Sequence, residues 1–259
     1  MAFVTNNSEA EVATGGGAQL YVGIAPVRVI AVNPTLDELK AFDLPARVEP
    51  QYLGVNIGGE EYNKVVFWVQ CDEPSIKTKI EVLCKPEPRV SKSGKSQWTN
   101  NIGQFAYADT KASEAYDWFK DEGVRKAFVG EELLIDFIKA YANVANGDAC
   151  YLESWKDVSA GNIKEISELV KQLPDNKVRV LLGVKDEKFQ QVYTKFFGRL
   201  KPQRDDLFLK RLNDDFGAFN AEYNTSLELE PYAPGAITPD TNDSLPSSMD
   251  TPDDDTAWG

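Results

Sequence analysis

The chain has 259 residues with 28 Lys and Arg against 41 Asp and Glu, a formal net charge of −13, and 42% hydrophobic residues, enough for one sizeable core. Because the sequence has neither a long uncharged apolar run nor a signal-peptide pattern, we expect a soluble intracellular protein. Histidine is absent, which excludes Ser-His and Cys-His nucleophiles, and neither a P-loop nor a Cys-x-x-Cys pair occurs, so the composition favours a binding protein over an enzyme.

The charge is divided unevenly along the chain. All 28 basic residues precede residue 212 and 11 acidic residues follow it, so residues 1–211 carry −2 and residues 212–259 carry −11. Since like charges repel and cannot bury a core, we predict that the chain ends in a disordered, proline-rich acidic tail (231–259), preceded by a transitional segment (212–230). Before these we predict a flexible leader (1–18) and one domain with helical insertions (19–211).

The first predicted element is a strand over Leu20–Val32, which is rich in β-branched residues. Pro26 lies inside this segment and predicts a bulge or a position at a sheet edge. A short helix follows, because Thr35 and Glu38 have the spacing of a capping box.

A hairpin is predicted over Val65–Cys71 and Ile76–Cys84, with residues 72–75 as the turn. Polar and apolar residues alternate in its second strand. One face is therefore expected in the core, and the other presents Lys77 and Lys79 to solvent or to a ligand.

Residues 77–104 are basic in an otherwise acidic protein, with six Lys or Arg and two Glu. Their centre is a turn-rich loop with Gly94 at its expected tip. A strand-like segment, Gly103–Ala108, follows the loop.

The remaining elements alternate helices and strands. Apolar spacing predicts helices over 110–122 and 131–143, with Gly123 and Gly147 as stops, and a third helix over Asn162–Leu173 with Asn162 as its N-cap. Strands over Lys177–Lys185 and Lys188–Phe197 follow. The fold class is thus α+β and mainly antiparallel, a small barrel of five or six strands with inserted helices. The three cysteines, 71, 84 and 150, are expected to be buried reduced thiols.

Proteins that bind single-stranded nucleic acid combine Lys and Arg along the backbone with aromatic side chains on which bases stack. This chain mixes both residue types in its basic loop, and a second basic stretch accompanies the last strand. For any one aromatic residue, packing in the core is the more common role. The candidate binding residues are Lys77, Lys79, Arg89, Lys92, Lys95, Trp98, Phe105, Tyr107, Lys195, Arg199 and Lys201.

A family resemblance is carried by five segments: Leu20–Ile24, Val29–Thr35, Glu49–Leu53, Arg89–Lys95 and Gly130–Ile138. Together they resemble the single-stranded DNA-binding proteins of tailed bacteriophages, over most of residues 20–145. The acidic C-terminal tail is similar as well, although many tails of this family end on an aromatic residue and here Gly259 follows Trp258.

The resemblance implies an oligonucleotide-binding (OB) barrel without enzymatic activity, cofactor or metal. Such a protein coats single-stranded DNA during phage replication, recombination or repair in the cytoplasm of the infected bacterium, and does not bind membranes. It also implies that the tail recruits polymerase, helicase or primase, through Asp253, Asp254, Asp255 and Trp258. We further expect the tail to compete with nucleic acid for the basic surface.

Two other functions stay open at this point. A phage structural or interaction protein would use the tail as a docking peptide and would not bind nucleic acid. A magnesium-dependent nuclease would need carboxylates such as Glu131, Glu132 and Asp136, although acidic residues on an amphipathic helix most often simply face solvent.

Overall fold

The computed structural model describes residues 20–73, 75–100, 103–109, 124–143, 155, 157–185, 189–199 and 220–221, and the structural statements below concern these residues. None of the helices within them is long and apolar enough to cross a membrane. The helices are α1 (Leu36–Ala41), α2 (Glu131–Ala142) and α3 (Ala160–Gln172). The strands are β1 (Gly23–Val32), β2 (Val55–Ile57), β3 (Glu60–Cys71), β4 (Ile76–Pro88), β5 (Ser96–Thr99), β6 (Phe105–Ala108), β7 (Arg125–Lys126), β8 (Phe128–Val129), β9 (Val178–Lys185) and β10 (Phe189–Arg199).

Seven strands form an antiparallel sheet that curls into a half-barrel, in the order β10-β9-β1-β3-β4-β8 with β2 beside β3. Strand β1 joins the two halves of the sheet, because its first five residues pair with β9 and the rest pair with β3. The register shifts between Val29 and Ala31, so β1 has a bulge, but Pro26, where the sequence predicted a bulge or a sheet edge, pairs regularly with Arg179 of β9. The curl brings β10 next to β4, where the Thr78 hydroxyl donates a hydrogen bond to the Gln190 carbonyl at 3.1 Å.

The core lies inside this curl. Inward residues of β3 and β4 meet α2, which packs against β4, β9 and β10. The Phe137 ring of α2 lies 4.3 Å from that of Phe67 and 5.1 Å from that of Phe197, measured between ring centroids. A helix that fills the opening of a half-barrel buries apolar surface that the sheet alone would leave in water.

A second, small sheet has the order β6-β5-β7 and is also antiparallel. The prediction of five or six strands was therefore too low. The strands of the small sheet are two to four residues long, and β5 pairs with β7 across a separation of more than 25 residues. Such short, non-local pairing leaves no periodic pattern in the sequence.

Several predicted elements are confirmed, with changes at their ends. The 65–84 hairpin forms, and the α1 capping box of Thr35 and Glu38 is present. The N-cap assigned to Asn162 was wrong, since α3 begins at Ala160 and Ser159 is its cap, with Asn162 as the reciprocal partner. Helix α2 ends at Ala142, within one residue of the predicted end, and its C-cap is Asn143, in the left-handed region with φ 57°, in place of the expected stop Gly147. Cys71 and Cys84 are buried free thiols. The leader, the predicted helix over 110–122, Cys150 and the acidic tail lie outside the described residues.

Candidate nucleic-acid interface

The outer face of the β3–β4 hairpin carries charged and aromatic side chains. Trp68 pairs with Lys79 and Val66 pairs with Glu81 across the two strands. The intervening residues of β4 are buried in the core, so these four side chains lie on the opposite face. The prediction that Lys77 and Lys79 face outward is confirmed, since both are exposed.

A groove of about 300 Å³ lies on this outer face, under the segment that follows α1. We call it the outer groove. The Tyr52 hydroxyl donates a hydrogen bond to the Pro34 carbonyl at 2.8 Å, which holds the covering segment in place. Burial raises the pKa of Tyr52 to about 12, so the phenol remains a neutral donor. The aromatic and charged lining residues are Tyr52, Trp68, Arg47, Lys64, Lys79 and Glu81.

Glu81 lies between two lysines in the outer groove. Lys64 Nζ is 3.2 Å from Glu81 Oε1, and Lys79 Nζ is 3.2 Å from Glu81 Oε2. Burial by itself raises the pKa of the Glu81 carboxyl, but Lys79 and Lys64 outweigh it and hold this pKa below its usual range. The carboxylate is therefore ionised at neutral pH, and the three cations against one anion leave the groove with a net charge of +2.

Two further lysines lie on the outward-facing positions of β4. Lys77 Nζ donates to the Phe42 carbonyl at 2.7 Å, just beyond the end of α1. Lys85 Nζ lies 2.7 Å from a Glu60 carboxylate oxygen and 4.7 Å from the centroid of the Tyr62 ring. Because alternate residues of a strand point the same way, Lys77, Lys79 and Lys85 form a row of cations along β4.

The predicted basic loop forms a tight hairpin, residues 89–97, which we call the basic hairpin. The Ser91 amide donates to the Lys95 carbonyl at 2.8 Å, and Gly94 at the tip has φ 81°, a conformation that favours glycine. Lys92 is exposed and has no partner among the described residues. Lys95 Nζ is 3.8 Å from an Asp109 carboxylate oxygen, a weak exposed ion pair.

The small sheet places cations beside aromatic rings. Trp98 is half-buried and pairs with Lys126, whose Nζ lies 5.7 Å from the ring centroid. The Trp98 indole N–H is buried and has no hydrogen-bond acceptor among the described residues. The exposed Tyr107 ring lies 5.9 Å from the Arg89 guanidinium. Phe105 differs from these rings, because it packs against the main core.

Two carboxylates weighed above as metal ligands bind arginines. Glu131 is fully buried, accepts two hydrogen bonds from Arg125, and accepts a third from the Phe128 amide at 2.9 Å. Burial raises the pKa of Glu131, while Arg125 opposes this shift. Glu132 accepts from Arg89 at 2.7 Å. Within the part of the chain that the structure describes, no three candidate ligands form a metal cluster.

The structure thus brings together only part of the predicted site. Lys195 and Arg199 lie on β10, and Lys201 and the tail residues Asp253, Asp254, Asp255 and Trp258 lie outside the described residues. The residues that sequence reasoning missed are Arg47, Tyr52, Lys64, Trp68 and Lys126. Trp68 could have been found, since it occupies an outward position of the predicted strand Val65–Cys71. Lys64 lies one residue before that predicted strand, although it continues the same outward alternation. Comparison of the chain with known protein families, curated proteins and solved structures finds no match.

Proposed function

We propose that this chain binds single-stranded DNA without strict sequence preference, through an OB-like barrel, in phage DNA replication, recombination or repair. The observation that carries the proposal is the position of the outer groove. In OB folds, the second and third strands and the loop between the first and second strands bind oligonucleotides. The outer groove lies on β3 and β4 beneath the segment that follows β1, and in the proposed OB-like barrel these strands are the second and third.

The sheet connectivity supports the OB-like part of the proposal. Strands β1, β3, β4, β9 and β10 form a curled antiparallel path, and the Thr78–Gln190 hydrogen bond brings its two ends together. A five-stranded, partly open barrel is the architecture expected of an OB fold.

The side chains supply the two kinds of contact that single-strand binding needs. Trp68 in the groove and Trp98 on the small sheet are half-buried rings with a lysine beside each. Each base that stacks on such a ring contributes about 1–3 kcal/mol. Each phosphate neutralised by a lysine or arginine adds about −0.7 to the slope of log affinity against log salt.

The tail completes the proposal. With 11 acidic and no basic residues, 212–259 would weaken binding by covering the basic surface, and its end at Trp258 would recruit a polymerase, helicase or primase. The site of action is then the cytoplasm of the bacterial host.

The first test is a titration of labelled oligo-dT and duplex DNA with the full chain and with a version that ends at Pro231, at low and moderate salt. We expect tight binding of the single strand, weaker binding of the duplex, and higher affinity without the tail. If neither version binds the single strand, the proposal is refuted and the interaction-protein alternative takes its place.

Variants then locate the contact surface. Lys92→Ala with Lys95→Ala should flatten the salt dependence, and an exposed lysine pair elsewhere, Lys40→Ala with Lys171→Ala, serves as the matched control. Trp68→Ala should lower the salt-resistant part of the affinity by about tenfold. Phe189→Ala, which removes a 60% exposed ring on β10, is its control. Equal losses in the test and control variants would show that the strand binds elsewhere.

A further inference from the structure

The Glu81 carboxylate is unexpected in a groove that we propose binds nucleic acid. Glu81 is ionised and lies in the outer groove, and a negative charge there repels phosphate groups. The sugar-phosphate backbone would therefore follow Arg47 and Lys79, and the part of a nucleotide that faces Glu81 must be one that a carboxylate attracts.

The strand register places Glu81 next to the stacking ring. Trp68 pairs with Lys79, and Glu81 is the next outward residue on β4, so Trp68 and Glu81 are diagonal neighbours on one face. Diagonal neighbours in an antiparallel pair are about 7–8 Å apart, within reach of large side chains. A base that stacks on Trp68 thus presents one edge to the Glu81 carboxylate.

The chemistry of that edge is selective. Each carboxylate oxygen of Glu81 accepts from one lysine at 3.2 Å, and each has a further lone pair that accepts a second hydrogen bond. Guanine has two neighbouring donors on its Watson–Crick edge, the N1–H and the exocyclic amino group. Thymine has one N–H donor there, flanked by two carbonyl oxygens that a carboxylate repels.

We infer that the outer groove prefers guanine to thymine in a single strand, and that Glu81 sets this preference. The inference rests on the proposed function and adds to it a bias at one base position, within binding that is otherwise independent of sequence. Lys64 and Lys79 support this role of Glu81, because their ion pairs hold its carboxylate in place and keep it charged.

The test compares the full chain with Glu81→Gln and Glu60→Gln on three short labelled oligonucleotides, in lithium buffer to prevent quadruplex formation. The oligonucleotides are oligo-dT, alternating dT/dG, and alternating dT/deoxyinosine, which lacks the exocyclic amino group. Glu60→Gln is the matched control, since it also removes one negative charge paired with a lysine but lies outside the groove. Circular dichroism establishes that each variant is folded.

We expect the unsubstituted chain and Glu60→Gln to bind the dT/dG strand about tenfold more tightly than oligo-dT, with the inosine strand between them. Glu81→Gln should bind all three strands within about twofold of one another, because its amide offers both a donor and an acceptor. Equal affinity of the unsubstituted chain for dT/dG and oligo-dT overturns the inference and leaves the proposed function standing, as does a guanine preference that survives in Glu81→Gln. No binding of any strand overturns both.

Discussion

Replacing Arg125 by Met tests how the small sheet is attached to the core. Arg125 on β7 donates two hydrogen bonds to the Glu131 carboxylate at the start of α2, and the Glu131 side chain is fully buried. The substitution keeps an apolar stem of similar length and removes the positive charge. Glu131 then keeps the Phe128 amide as its described donor.

The expected loss is large because the remaining charge stays buried. Removing one partner of a buried ion pair costs about 3–5 kcal/mol of folding free energy. Arg89→Met is the internal comparison, since Arg89 pairs with the adjacent Glu132 through a single hydrogen bond, with side chains that are 38% and 41% exposed. An exposed pair of this kind contributes less than about 1 kcal/mol.

The pH dependence gives a second readout. Glu131 already has a raised pKa from burial, and loss of Arg125 raises this pKa further. The folded variant then binds a proton at a pH where the unfolded chain is ionised, so its stability falls as pH rises through that window. Consequently, the deficit of Arg125→Met relative to the unsubstituted chain should shrink as pH is lowered from neutral towards the ordinary pKa of a glutamate.

Guanidinium unfolding, followed by tryptophan fluorescence and circular dichroism at several pH values, measures both quantities. If Arg125→Met costs no more than Arg89→Met at neutral pH, the buried pair does not stabilise the fold as argued. A deficit that stays constant with pH would show that lost packing, and not the uncompensated charge, is its cause.

Three further predictions concern the backbone and the thiols. Gly130→Ala should cost more than about 2 kcal/mol in the same unfolding assay, because its φ is 90° and a Cβ would clash with the Leu83 carbonyl oxygen. Gly94→Ala, at φ 81° in open space, is the comparison and should cost about 1 kcal/mol. Thr35→Ala should lower the free energy of unfolding by about 1 kcal/mol, because it removes the α1 capping box. Thr35→Ser keeps the capping hydroxyl and should lose much less. Burial and the neighbouring Glu131 raise the pKa of Cys84 to about 12, and burial raises the pKa of Cys71, so a Cys150→Ser variant should react with Ellman's reagent at pH 8 only after unfolding. Rapid labelling of the folded variant would contradict this burial.

The sequence predicted the local elements well because their signals are local. The β3–β4 hairpin follows from alternation of apolar and polar residues, and α1 follows from Thr35 and Glu38 three residues apart. The cap of α3 was assigned wrongly because two pairs have the capping-box spacing. Asn162 with Glu165 matches the usual residue types, whereas the pair that forms is Ser159 with Asn162, which has Asn in place of the usual Glu or Gln. Of the small sheet only β6 was predicted, within Gly103–Ala108, because the pairing of β5 with β7 joins Trp98 to Lys126 through a long connection.

The candidate site was predicted only in part for the same reason. Lys79 and Trp98 were selected by the local mixture of charge and aromatics, but Lys126 comes to Trp98 from another strand. Arg47 carries no pattern of its own, because a loop brings it to the groove. Sequence alone also could not show that Arg89, one of the predicted DNA-binding residues, forms an ion pair with Glu132.

The division of β1 between two partners affects how the protein folds during synthesis. The second half of β1 pairs with β3, which lies about 40 residues further along the chain. Its first half, Gly23–Val27, pairs with β9, which lies more than 150 residues further along. Because chains emerge from the ribosome in order, the β3–β4 hairpin would form while the start of β1 is still unpaired. A nascent chain that stops before Val178 would expose that half-strand, so we expect such fragments to be degraded or to bind chaperones, and the final strand pair to determine when the fold becomes protease-resistant.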